Sequence, residues 1–275
     1  MRTRNRDITK YLQKHNGTSV IQTLQNTKIP THTIYSLKPE QFFIPKDVHL
    51  ISILTEMQRS INDNPVNLRN FFDLSVTNLC RRNNIVCMIR DFVQKYKLLN
   101  PTFFMAVYYF DLLILKGINL PIEKIGVGCL ILSMKYNDID GRLPPLRKFE
   151  VFFGISEREL CKVEMYCLQK LDYLLSYSHI IHFIQIISIY GIIYTDDGFS
   201  NEKIIRSVYD LPYKIIETII IKGNTYMKHN SFNLALASVC LARENIGVDK
   251  WNKAFDKYYM VSFDDILEEY TFIKE

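Results

Sequence analysis

Glycine and proline are both scarce, at ten and nine of 275 residues. So few breakers leave long uninterrupted segments, which excludes a fold of many short strands joined by tight turns. The six cysteines (Cys80, Cys87, Cys129, Cys161, Cys167, Cys240) include no CxxC pair and no zinc-type spacing. They read as small core residues in a reducing compartment, not as metal ligands or a disulfide framework. HExxH, a P-loop and a nucleophile–base motif are all missing, so no catalysis, metal or cofactor is expected. Gly126-Val127-Gly128 begins like a dinucleotide fingerprint, but Ile131 stands where the third glycine belongs. No apolar stretch follows the basic N-terminus, so no signal peptide is expected.

Excess charge is missing from most of the chain. The formal net charge of +5 is carried by residues 1–40, where Arg2, Arg4, Arg6, Lys10, Lys14, Lys28 and Lys38 face only Asp7 and Glu40. The remaining acidic and basic residues balance, which argues against a body that binds nucleic acid. Residues 1–40 are polar and weakly patterned, and read as a mostly disordered tail. Tyr173 to Thr195 carry no formal charge, but His179, His182, Gln185 and several serines favour a buried helix over a membrane span. His179 and His182 share a helix face without a third ligand nearby, and read as core or helix-end histidines.

What remains is helix. Asp47–Ile61 carries apolar residues at helical spacing and precedes a break at Asn62–Asn67. Helices are then predicted over 84–97, 101–116, 121–136, 146–153 and 156–173, the last with Ser156 and Glu159 as a capping box. A second set is predicted over 178–193, 210–222 (Pro212 in its first turn), 232–244, 251–259 and 263–272. Ile125 to Met134 is apolar on every side and closes on Lys135, so other helices surround it and the lysine emerges where core meets water. Gly126 and Gly128 cost helix stability, and their expected use is close approach of a neighbour. The segment 232–244 repeats this pattern and closes on Arg243, which suggests a duplicated five-helix unit in an all-α protein.

In this setting several runs resemble the cyclin family. KYKLLNPTFFMAVYYFD (Lys95 to Asp111) is similar to the junction of the first two cyclin-box helices. LSMKYN (Leu132 to Asn137) is similar to the end of the third helix, and KVEMYCLQKL (Lys162 to Leu171) to the fifth. DVHLISILTEM (Asp47 to Met57) resembles the helix that precedes the box in A/B-type mitotic cyclins, and LASVCLAR (Leu236 to Arg243) the third helix of their second box. The resemblance implies two tandem five-helix cyclin boxes, with an N-terminal helix plus the first box over 41–175, the second box over 176–275, and the tail ahead of both. It also implies a non-catalytic regulatory subunit in the nucleus or cytoplasm. Such a subunit binds a cyclin-dependent protein kinase, repositions its PSTAIRE-type helix and activates it in cell-cycle or developmental control. No cofactor, no metal and no membrane are implied.

The family's kinase contacts fall here on Lys135 and Glu164, with Leu132, Tyr136, Leu168, Tyr173 and Leu175 at matching apolar positions. Arg82 and Asp111 match a paired arginine and aspartate of the box. The substrate-docking patch is degenerate: Arg81, Ile85 and Met88 stand where a methionine, a leucine and a tryptophan are usual. Cys87, Leu112 and Asn137 also replace charged residues of the family pattern. There is no RxxL or KEN degradation signal and no Ser-Pro or Thr-Pro. Two other readings stay open: a cyclin-fold scaffold without kinase activation, and a factor akin to transcription factor IIB. The latter would lead one to expect a zinc ribbon and a more basic body.

Overall fold

The computed structural model describes residues 52–57, 59, 76–138, 143–198 and 202–275. The tail over 1–40 and the break at Asn62–Asn67 lie outside them; of the helix expected over 47–61, residues 52–57 and 59 are helical. Ten α-helices follow: α1 Val76–Lys95, α2 Asn100–Lys116, α3 Ile122–Asn137, α4 Leu146–Phe153, α5 Glu157–Lys170, α6 Ile180–Tyr190, α7 Glu202–Lys222, α8 Ser231–Asn245, α9 Lys253–Tyr259 and α10 Leu267–Lys274. No strand occurs among the described residues, and no helix there is long and apolar enough to cross a membrane.

Helix α3 is the centre of the first set and packs on α1, α2 and α5. Residues Ile125 to Met134 are all buried. The glycines do what their cost suggested. A Cβ on Gly126 would lie 2.3 Å from Ile85 Cγ2, and one on Gly128 would lie 2.7 Å from Cys167 Sγ and 2.8 Å from Val163 Cγ1. Helices α1 and α5 therefore approach α3 at positions where a larger residue would force a neighbouring side chain to shift. Helix α8 is the centre of the second set and packs on α6, α7 and α10. Asn230 caps it, its side chain accepting hydrogen bonds from the Phe232 and Asn233 amides.

The two sets meet on a buried ion pair. Arg82 on α1 donates to both carboxylate oxygens of Asp111 on α2, at 2.8 and 2.6 Å, with both side chains fully buried. The second set completes the network. The Tyr226 hydroxyl donates to Asp111 Oδ2 (3.0 Å), the Ile220 carbonyl accepts from Arg82, and Asn83 donates to the Lys222 carbonyl (3.1 Å).

Three expectations need correction. Helix α1 begins at Val76, eight residues before the predicted start. Its first turns are mostly polar and stay largely exposed, and the first buried side chain among their described residues is the ion-paired Arg82, which a search for apolar periodicity passes over. Helix α7 begins at Glu202 and holds Pro212 in its interior. Buried Val208 continues the apolar stripe of Ile216 and Ile220 ahead of the proline, so tertiary packing overrides the lost hydrogen bond. Ser156 does sit at the N-cap of α5 but makes no side-chain cap bond, and the Glu159 side chain pairs with Lys124 on α3.

Candidate functional site

Lys135 lies in the last turn of α3, where a cation also favours the helix dipole. The buried residues just before it, Leu132 to Met134, hold its backbone rigidly. Its Nζ donates to both oxygens of Glu164 on α5, at 2.6 and 2.8 Å. The Lys135 side chain is 47% exposed and that of Glu164 18%. The pair thus bridges two helices packed through glycine, and half of the lysine faces solvent.

Apolar surface lies close by. Leu168 is one turn beyond Glu164 on the same helix and is half-buried, as is Tyr136. After α5 the chain turns through two consecutive left-handed residues, Asp172 (φ 53°) and Tyr173 (φ 59°). Non-glycine residues adopt this conformation only when their surroundings impose it. Here Lys116 Nζ donates to the Lys170 carbonyl (3.1 Å) and to Asp172 Oδ2 (2.8 Å), and the Tyr109 hydroxyl donates to the Leu175 carbonyl (2.6 Å). The turn displays Tyr173 and Leu174, 55% and 44% exposed. A large apolar side chain held outward by a strained, stapled turn is a feature of binding surfaces.

The structure does not treat all the expected site residues alike. Lys135, Glu164, Tyr136, Leu168 and Tyr173 reach the surface at least in part; Leu132 and Leu175 are buried in the core. Leu174 and the exposed Met165 were missed by sequence reasoning. For Leu174 the signal available was its place beside Tyr173 in a turn, which does not say which of two adjacent leucines points outward. In the degenerate docking patch, Arg81 is tied to Glu123 (2.8 Å), Ile85 is buried over Gly126, and Met88 is exposed.

The histidines form no metal site, and no metal-ligating cluster occurs among the described residues. His179 and His182 are both buried, and His182 Nδ1 accepts a hydrogen bond from the His179 amide (3.1 Å) at the start of α6. Burial lowers the pKa of His179 to about 3, helped by His182, and that of His182 to about 4. Both imidazoles are therefore neutral core groups, as their apolar setting suggested.

Residues 51–176 match the sequence family described as "Cyclin, N-terminal domain". In three dimensions the chain is similar to the X-ray structure of a viral cyclin from herpesvirus saimiri. The TM-score is 0.61 over 81% of this chain and 95% of that chain, at 14% sequence identity. The chain therefore has the cyclin fold, and the likeness continues past the family match into the second set of helices. Among curated protein sequences none matches the chain.

Proposed function

We propose that this chain is a cyclin, and that its face around Lys135 and Glu164 binds a cyclin-dependent protein kinase and activates it. The observation that carries the reading is one half-exposed ion pair on two rigidly packed helices, one of which, α5, is followed by the turn that holds Tyr173 and Leu174 outward. Such a face loses little conformational freedom on association. Its charges fix register, and its apolar side chains supply affinity. The family match over the region that contains both charged residues supports the reading, and so does the fold. The contact on the kinase would be its PSTAIRE-type helix, and activation would consist in letting the kinase's own lysine–glutamate pair form. The chain would itself perform no chemistry. Its N-terminal helix and first box would span 41–175 and its second box 176–275, with 1–40 a basic tail, and it would act in the nucleus or cytoplasm in cell-cycle or developmental control.

The test is co-purification from host extract of tagged wild type beside the Lys135→Glu/Glu164→Ala double variant, with a kinase assay on each eluate. An active kinase with wild type and none with the variant is the expected result. Equal recovery with both would mean that this face is not the contact. A kinase recovered without stimulation, with both proteins folded, would favour the scaffold reading.

A further inference from the structure

Helix α5 ends in a way that usually calls for glycine. Its last four carbonyls, from Cys167 to Lys170, need donors from beyond the helix. Three come from the chain that follows: the amides of Leu171, Tyr173 and Asp172 donate to the carbonyls of Cys167 (2.9 Å), Leu168 (2.9 Å) and Gln169 (3.0 Å). The bonds from Tyr173 and Asp172 are those of a Schellman end, in which the residue at the place of Asp172 is left-handed and most often glycine. Here it is an aspartate at φ 53°, and a second left-handed residue, Tyr173, follows it.

The fourth carbonyl, that of Lys170, is met from another helix. Lys116, the last residue of α2, donates to it from Nζ (3.1 Å), and the same ammonium donates to Asp172 Oδ2 (2.8 Å). The two contacts are unequal. The Asp172 side chain is 74% exposed, so that ion pair alone contributes little. The Lys116 side chain is 20% exposed, and its bond to the carbonyl is partly buried; losing it leaves a helix-end carbonyl without a partner. A cation is also favoured here because it lies at the negative ends of both α2 and α5. On the other side of the displayed residues the Tyr109 hydroxyl, again from α2, donates to the Leu175 carbonyl (2.6 Å). Helix α2 thus grips the chain just before and just after Tyr173 and Leu174.

We infer that Lys116 is a positioning residue of the proposed kinase-binding face: reaching from α2, it closes the end of α5 and so keeps Tyr173 and Leu174 turned outward. The strained turn has no glycine to ease it, and the cation from another helix takes that part. What the face binds rests on the reading above; how the turn is held does not.

The test compares full-length wild type, Lys116→Met and Lys116→Arg by amide hydrogen exchange and by kinase recovery. In Lys116→Met, exchange at the amides of Asp172, Tyr173 and Leu174 is expected to rise about tenfold or more. The amide of Gly154, which closes α4 in a turn far from Lys116 in sequence, should keep its wild-type rate. Lys116→Arg, which keeps a cation and its donors, should restore slow exchange. Kinase recovery should follow the same order, falling in Lys116→Met and returning in Lys116→Arg. Unchanged exchange at the turn would overturn the proposal, because the turn would then hold itself. An equal rise at Gly154 would overturn it as well, because Lys116 would then serve the fold at large. Local opening with undiminished kinase recovery would show that the turn is no part of the face. If wild type itself recovers no kinase, the proposed function fails, and the exchange rates still decide whether Lys116 holds the turn. Should Lys116→Met not fold, Lys116→Gln, which removes the charge, is read in the same way.

Discussion

Lys135 and Arg243 close two central helices of similar composition, and the two cations end in opposite environments. Lys135 has one carboxylate partner and half of its side chain in water. Arg243 is fully buried. It donates from Nε to the Asp249 carbonyl (2.9 Å), from Nη1 to the Ile192 carbonyl and Asp197 Oδ2 (2.8 Å), and from Nη2 to Asp197 Oδ1. Asn252 donates to the same carboxylate (2.9 Å), and the ring of Phe255 lies 5.5 Å away. Burial alone would raise the pKa of Asp197, but the hydrogen bonds from Arg243, the Tyr194 amide and Asn252 hold it below the ordinary value. A guanidinium has enough fixed donors to satisfy a buried site on several sides, and an ammonium does not. The same helix pattern thus ends once in a structural staple and once in a charge left available at the surface.

The largest expected effect breaks the staple. Arg243→Met leaves Asp197 buried without its cation, and a broken buried pair costs roughly 3–5 kcal/mol. Urea denaturation should show a loss of that size. A loss below about 1 kcal/mol would mean that the second set of helices does not depend on the pair.

The packing of the two central helices sharpens the contrast next. The close approaches in α3 are made by glycine, whereas α8 uses Ala235, Ala237 and Ser238, all buried. Gly128→Ala gains helix propensity of about 1 kcal/mol. It also drives a methyl into Cys167 and Val163, with the Val163 carbonyl only 3.3 Å away. Overpacking of this kind costs roughly 1–3 kcal/mol, so the net change should be destabilising. Cys167→Ala in the same chain should recover much of the loss. If Gly128→Ala alone were stabilising, α5 would have to sit farther from α3.

Burial also separates groups that can charge from groups that cannot. The folded pKa values of about 3 for His179 and about 4 for His182 lie below the ordinary 6.5. The unfolded chain therefore takes up protons that the folded chain refuses. Stability is full above pH 6.5 and falls as pH drops toward 4, by up to about 1.4 kcal/mol per pH unit for each histidine. His182→Asn keeps an acceptor for the His179 amide and removes one titration. The slope of stability between pH 6 and pH 5 should fall by one histidine's share. An unchanged slope would show that His182 is protonated inside the fold.

Helix count, the two central helices and the surface emergence of Lys135 were legible because they rest on apolar periodicity and on glycines that a helix tolerates only for packing. The opposite fate of Arg243 was not legible. Its partners are carbonyls and an aspartate up to 51 residues away in sequence, which no local pattern reveals. The same holds for the start of α1 around buried Arg82 and for the unmade cap at Ser156. Both places carry an ion pair to another helix that no local pattern reveals, Arg82 with Asp111 and Glu159 with Lys124. At the candidate site, resemblance singled out Lys135 and Glu164, and the structure pairs them. It could not show that Leu174 faces out while Leu175, anchored through its carbonyl by Tyr109, faces in.

The smallest expected effect on the fold falls on the pair with the largest proposed role. Exposed ion pairs contribute about 0.2–1 kcal/mol because water and salt screen them and two long side chains must be ordered. A double-mutant cycle with Lys135→Ala and Glu164→Ala should return a coupling within that range, measured by urea denaturation. Lys135→Ala alone leaves Glu164, the more buried side chain of the two, without its partner. The double variant is therefore the cleaner probe of the fold. Kinase recovery with the same variants supplies the other half of the comparison. Near-wild-type stability with lost kinase recovery would mean that this rigid pair is kept for a partner. A coupling of several kcal/mol would instead make Lys135 a staple like Arg243, and any loss of binding would then report on folding.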